Sequence, residues 1–170
     1  NSEKLVLWEQ STALWYYIQG IFYKIIGATQ IGSRFASVLF GSLTIILTFL
    51  FVKRVFKSEK AALISSFLVA ISPAFIRNML PEMDTAICFF VLFSAYFLFG
   101  YLENNKNKDL IFSALFMGIA IMIKLYAIFF TMSFIIFLLY KKMKAKESKG
   151  TLKKIFLFGI IIFILVIPTL

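Results

Sequence analysis

Residues 61–102 read AALISSFLVAISPAFI, then RNMLPEMD, then TAICFFVLFSAYFLFGYL. The first and last pieces, residues 61–76 and 85–102, are apolar runs long enough to cross most or all of a bilayer. The short piece between them, residues 77–84, contains Arg77, Glu82 and Asp84. Charges beside apolar spans are costly unless they face water, one another or a charged ligand. The pattern predicts two membrane helices joined by a polar site at the membrane surface.

The composition indicates an integral membrane protein. Hydrophobic residues make up 61% of the chain, and 22 of its 170 residues are Phe. A soluble domain of this size would leave much of that apolar surface exposed. Cys88 is the one cysteine and no histidine occurs, so acid–base chemistry falls to carboxylates, lysines and tyrosines, and we expect no organic cofactor. Asn1 is not an initiator Met and Leu170 lies inside an apolar run, which suggests a fragment of a longer chain.

The basic residues are concentrated on three short loops. Residues 53–60, 103–109 and 141–154 together carry 13 of the 18 lysines and arginines. Such clustering beside apolar runs marks loops on the cytoplasmic side of a membrane. We therefore interpret the net charge of +10 as a signal of topology and expect no nucleic-acid partner.

Residues 110–140 decide how many times the chain crosses. They are apolar over 31 residues apart from Lys124, whereas one crossing needs about 20 residues. One crossing would also place the last basic loop opposite the other two. Two short helices that meet near Lys124, as two crossings or as a re-entrant hairpin, avoid both problems. We predict an all-α, polytopic transmembrane helical bundle in which residues 36–170 form about six membrane segments, the last truncated.

The N-terminal part of the chain differs from the rest. Residues 1–35 are predicted to be an extracytoplasmic interfacial segment, with a helix that Gly27 ends. Trp15, Tyr16 and Tyr17 fit anchoring at the membrane interface, although they could also pack on a sugar ring or a lipid tail.

The candidate site combines residues of both charges on the outer face. Asp84 and Glu82 suit a divalent cation, sugar hydroxyls or pairing with a cation. Arg77 and Lys124 suit a phosphate, and Glu9 is a further outer-face carboxylate. Structural alternatives stay open: Arg77 reaching the lipid headgroups, Asp84 capping a helix, Lys124 anchoring at the interface and Glu9 facing solvent.

The order of these features resembles the GT-C membrane glycosyltransferases of the dolichyl-phosphate-mannose protein mannosyltransferase and aminoarabinose transferase type. The matching pieces run in order through residues 9–140 and are residues 34–41 (RFASVLFG), 52–56 (VKRVF), 71–77 (ISPAFIR), 82–84 (EMD) and 118–124 (GIAIMIK). Each piece is weakly specific, and their order is moderately specific.

The resemblance implies sugar transfer from a polyprenyl-phosphate donor to a protein, lipid or glycan acceptor on the extracytoplasmic face, with membrane lipids as neighbours. The general base of such enzymes lies in a first external loop, which would precede Asn1. Asp84 corresponds to the second external acidic position, and Lys124 to a lysine that closes a helix. Ser11 and Thr12 replace a typical pair of prolines beside Glu9. A transporter or flippase for a lipid-linked or small anionic solute, and a scaffold without chemistry, are the alternatives.

Overall fold

The computed structural model describes residues 13–77, 83–145 and 151–167. These residues form helices and no strand, which confirms the predicted all-α class. In chain order the helices are α1 (Ala13–Ile26), α2 (Gln30–Phe56), α3 (Glu59–Ile71), α4 (Pro73–Arg77), α5 (Asp84–Asn104), α6 (Asn107–Ile123), α7 (Ile128–Ala145) and α8 (Thr151–Val166). A 3-10 turn, Leu125–Ala127, joins α6 to α7.

Residues that favour turns set the helix boundaries. Gly27 ends α1 with φ +96°, a left-handed conformation that glycine adopts at little cost, as the sequence predicted. Thr29 then caps α2, because its side chain accepts a hydrogen bond from the Gly32 amide at 3.1 Å. Lys57 and Asn105 both adopt φ 53° and end α2 and α5 in the left-handed region.

The long apolar run 110–140 is broken at Lys124, as its length and charge predicted. Lys124 has extended backbone (φ −157°, ψ 128°), and it separates α6 from the 3-10 turn and α7. An ammonium group in the middle of an apolar helix would have no counter-charge. The break allows the side chain to leave the helical path and reach a carboxylate on α5.

The apolar run 61–76 is divided at Pro73. Helix α3 ends at Ile71, and Pro73 begins the short helix α4. Proline lacks an amide hydrogen and disfavours a helical residue before it, and Ser72 is accordingly extended at ψ 120°. With 13 residues, α3 is about 20 Å long, which is short for a hydrocarbon core of about 30 Å.

Ion pairs and hydrogen bonds join the loops at one end of the bundle, which we call the basic end. Arg54 Nε lies 2.8 Å from one carboxylate oxygen of Glu103, and Lys57 Nζ lies 3.0 Å from the other. Lys154 Nζ donates to the side-chain oxygen of Asn105 at 2.7 Å. The loops after α2 and α5 and the start of α8 therefore lie together. Their placement on the cytoplasmic side stays a prediction.

The interface between α5 and α6 is the most extensive in the bundle. Ser94 and Ser113 are fully buried there, and the Ser94 hydroxyl donates to the Ser113 carbonyl at 2.7 Å. Phe116 packs against Phe93 and Phe97 with ring centroids 4.3 and 5.6 Å apart. Small polar residues that bond across the interface, flanked by stacked rings, bring the two helices close together.

The outer surface of the bundle is largely apolar. Exposed side chains include Leu63, Phe67, Phe129, Ile136 and Phe163. Among the described residues, α2 and α5 are the helices that are long and apolar enough to cross a membrane, and Leu125–Tyr140 is a shorter apolar helix. An apolar exterior of this kind suits contact with lipid.

Helix α1 packs on α2 and α6, and its aromatic residues divide into two groups. Trp15 is 2% exposed and belongs to the core, which corrects its interpretation as an interface anchor. Tyr16 and Tyr17 are exposed. The interfacial position of α1 stays a prediction, and residues 1–12 of the segment lie outside the described residues.

The geometry of the turn between α1 and α2 predicts that Gly32 and Gly20 differ in how well they tolerate substitution by alanine. A Cβ on Gly32 would collide with the Gly27 carbonyl oxygen, a backbone atom that cannot move aside, whereas a Cβ on Gly20 would meet nothing within 4 Å. We expect Gly32→Ala to reduce the free energy of unfolding by about 1–3 kcal/mol. Gly20→Ala should leave it unchanged or slightly raised. Melting temperatures in detergent would measure both, and equal stability of the two variants would contradict the close approach.

Because the basic loops lie at one end of the bundle, we expect all of them to be accessible from the same side of the membrane. In a Cys88→Ser background, cysteines at positions 60, 106 and 148 should react with the same impermeant reagent from the same side. Lys60 and Lys106 are exposed and make suitable replacements. A cysteine in place of Ala28, which is exposed at the opposite end of α2, should react from the other side. Protection of one basic loop while the other two react would exclude this arrangement.

Candidate functional site

A cluster of three side chains lies at the end of the bundle opposite the basic end. Lys124 Nζ is 3.3 Å from Asp84 Oδ1, and the Tyr126 hydroxyl donates to the same oxygen at 2.9 Å. Lys124 Nζ also lies over the Tyr126 ring, 4.9 Å from its centroid. The cluster thus consists of a carboxylate, an ammonium group and a phenol in mutual contact.

Two elements bring these side chains together. Asp84 is the first residue of α5, where a carboxylate favours the positive end of the helix. Lys124 and Tyr126 come from the break between α6 and α7. The break is held by the bond from the Ala127 amide to the Lys124 carbonyl at 3.1 Å, and by the full burial of Ala127. Because α6 packs along α5, its end lies beside the start of α5.

The cluster is partly open to its surroundings. The side chains of Lys124 and Asp84 are 27% and 29% exposed. Within the described residues, both contacts to the Asp84 carboxylate go to Oδ1, and none goes to Oδ2. The described contacts therefore fix one oxygen of this carboxylate.

The other predicted site residues do not join this cluster. Arg77 ends α4 with an exposed side chain and forms no ion pair within residues 13–77, 83–145 and 151–167. Glu82 and Glu9 lie outside the described residues. Their predicted roles in binding substrate stay predictions.

The described residues do not supply a full ligand set for a divalent cation. No group of three His, Cys, Asp or Glu that could hold a metal occurs among them. Asp84 is already paired with an ammonium group, which repels a second cation. A metal held by Asp84 and Glu82 therefore stays a prediction, and we derive no chemical step through it.

Tyr126 is the member of the cluster that the sequence did not identify. It carries no charge, and tyrosine is common beside membrane helices, so its position alone is not informative. The sequence did contain one signal for Tyr126, because it lies two residues after Lys124, in the turn that a break at Lys124 requires.

An apolar crevice near the basic end is less suited to binding a sugar than the Asp84 cluster. Its volume is about 300 Å³, and its walls include Phe51, Val55, Leu98 and Phe134. No polar side chain lines it, so it offers no hydrogen bonds to hydroxyl groups.

The fold and cluster define an all-helical protein with an apolar exterior and a charged cluster at one end of its bundle. The family model described as dolichyl-phosphate-mannose-protein mannosyltransferase matches residues 11–170. The chain belongs to this family.

Other comparisons cover less of the chain. An uncharacterized protein of Aquifex aeolicus (strain VF5) is 32% identical over 93 residues, which are 54% of this chain and 19% of that protein. The matched stretch thus spans about a fifth of that relative. No solved structure matches the chain.

Proposed function

We propose that this protein is an integral membrane glycosyltransferase that uses a polyprenyl-phosphate-linked sugar. It transfers the sugar to a protein, lipid or glycan acceptor on the extracytoplasmic face. Membership of the mannosyltransferase family supports the reaction class. The basic loops at the opposite end of the bundle support the sidedness of the site, because positive loops favour the cytoplasm.

The observation that carries the proposal is the pairing of Lys124 with Asp84. It places an ammonium group at the first residue of a span-length helix, where the phosphate of a membrane-bound donor would lie. Lysine binds phosphate as a point charge, and the partial exposure of this pair leaves it accessible. Asp84 would orient the sugar through hydroxyl groups that donate to Oδ2, which no described residue contacts.

The proposed reaction is an inverting displacement at C1 of the donor sugar. The acceptor oxygen forms a bond to C1, and the bond from C1 to the phosphate oxygen breaks, so the polyprenyl phosphate leaves with the electron pair. Lys124 would bind the phosphate about equally before and during bond cleavage, so it contributes mainly to donor binding. The proton of the acceptor passes to a general base. We do not give Asp84 that role, because its Oδ1 already accepts from Lys124 and Tyr126.

A transporter is less well supported by the position of the break. In many transporters, broken helices form the substrate site near the middle of the membrane. Here the break at Lys124 lies beside the first residue of α5, at the end of a span-length helix. This position suits chemistry at a membrane surface.

The proposal predicts a large effect of Asp84→Asn on transfer. The change keeps size and hydrogen bonding but removes the charge, and we expect transfer to fall roughly 100-fold. The fold should persist, because the amide oxygen introduced by the change can still accept from Lys124 and Tyr126, and the pair is partly exposed. Transfer from a polyprenyl-phosphate donor would be measured in membranes with equal amounts of folded full-length protein. Asp109→Asn in the first turn of α6 is the matched control. Near-normal transfer by Asp84→Asn would reduce Asp84 to a structural partner of Lys124.

Lys124 should act mainly on donor binding. We expect Lys124→Met to raise the donor KM roughly 10-fold, about the effect of losing one charged contact, and Lys124→Arg to recover part of the loss. Lys106→Met, which removes an exposed lysine at the basic end, is the control. An unchanged KM and rate in Lys124→Met would leave Lys124 as an interfacial anchor.

A further inference from the structure

We propose that Tyr126 is a positioning residue for Asp84, because its hydroxyl fixes Oδ1 of that carboxylate and so presents Oδ2 to the donor sugar. The inference rests on the proposed function and adds to it a residue that acts separately from Lys124. It concerns the orientation of Asp84 rather than the binding of phosphate.

Two hydrogen-bond donors contact the same oxygen of Asp84. The Tyr126 hydroxyl is 2.9 Å from Oδ1 and the Lys124 ammonium is 3.3 Å from it, so the shorter contact is the one from tyrosine. A carboxylate held through one oxygen by two donors is restricted in rotation about its last bond. Its second oxygen then has a defined direction.

Lys124 and Tyr126 would respond differently to the phosphate of a sugar donor. Lys124 is a charge on a flexible stem, and the phosphate competes with Asp84 for it. Tyr126 is neutral, so a phosphate attracts it far less strongly. Tyr126 can therefore keep Asp84 in place when Lys124 turns toward the phosphate.

The backbone around Tyr126 is well suited to this role. Tyr126 is the central residue of the 3-10 turn, and its neighbour Ala127 and the last residue of α6, Ile123, are both fully buried. A tyrosine has two side-chain torsions, whereas a lysine has four, so a fixed backbone leaves the hydroxyl little freedom. Positioning of this kind is effective when the supporting residue is itself held by packing.

The test is Tyr126→Phe, which keeps the ring over Lys124 and removes the hydroxyl alone. We expect kcat to fall roughly 10-fold with the donor KM within about twofold of wild type. For Lys124→Met we expect the opposite result, in which the donor KM is raised and kcat changes little. Tyr140→Phe removes a hydroxyl from an exposed tyrosine on α7 and is the matched control. Size-exclusion chromatography would equalise the amounts of folded protein.

A double-mutant cycle shows whether Tyr126 acts through Asp84. In an Asp84→Asn background, Tyr126→Phe should change the residual rate by less than about twofold, because the carboxylate that it orients is gone. An equal loss in both backgrounds, a normal kcat in Tyr126→Phe, or a raised KM with normal kcat would each overturn the positioning role. A full-length wild-type protein that transfers no sugar would overturn the proposed function and the positioning role with it. This result is distinct from the others because it is observed without any variant.

Discussion

The arrangement of the bundle depends on one electrostatic constraint, which is the ammonium group of Lys124 within an apolar run. Burial of an unpaired charge among hydrocarbon side chains is too costly to persist, so the chain must bring an anion to it. The anion is Asp84, at 3.3 Å. To reach it, Lys124 leaves the helical conformation, α6 ends, and α7 starts after a 3-10 turn. The pair also fixes the start of α5 against the end of α6, at the end of the most extensive interface in the bundle.

The two ends of the bundle use ion pairs in different ways. At the basic end, Arg54 and Lys57 each bind a separate oxygen of Glu103, which joins the end of α2 to the end of α5. The Arg54 guanidinium also stacks on the Tyr96 ring and donates to the Tyr96 carbonyl at 3.3 Å, which joins α2 to α5. This carboxylate serves the structure. Asp84, in contrast, has both of its described partners, Lys124 and Tyr126, on one oxygen.

Sequence reasoning succeeded where length and charge act locally. The 31-residue apolar run around Lys124 exceeds one crossing, so a break there could be predicted without tertiary information. The sharing of one end by the basic loops could also be predicted from the distribution of lysines and arginines. The burial of Trp15 and the bond from Tyr126 to Asp84 could not be predicted, since both depend on contacts between distant parts of the chain. Whether Pro73 would end the helix or only distort it could not be predicted either, because both outcomes are compatible with a proline in an apolar run.

The partial exposure of the Lys124–Asp84 pair bears on whether a donor can use it. A fully buried pair would be locked, because separating it leaves two charges without solvent or partners. At 27% and 29% exposure, each member keeps contact with its surroundings, so an incoming phosphate can replace Asp84 at Lys124 with a smaller desolvation cost. The replacement leaves a carboxylate that needs another donor, and the Tyr126 hydroxyl is already in place at 2.9 Å. In the function that we propose, an ion pair that can exchange its partner, beside a neutral donor that stays, would bind the phosphate and orient the sugar in the same step.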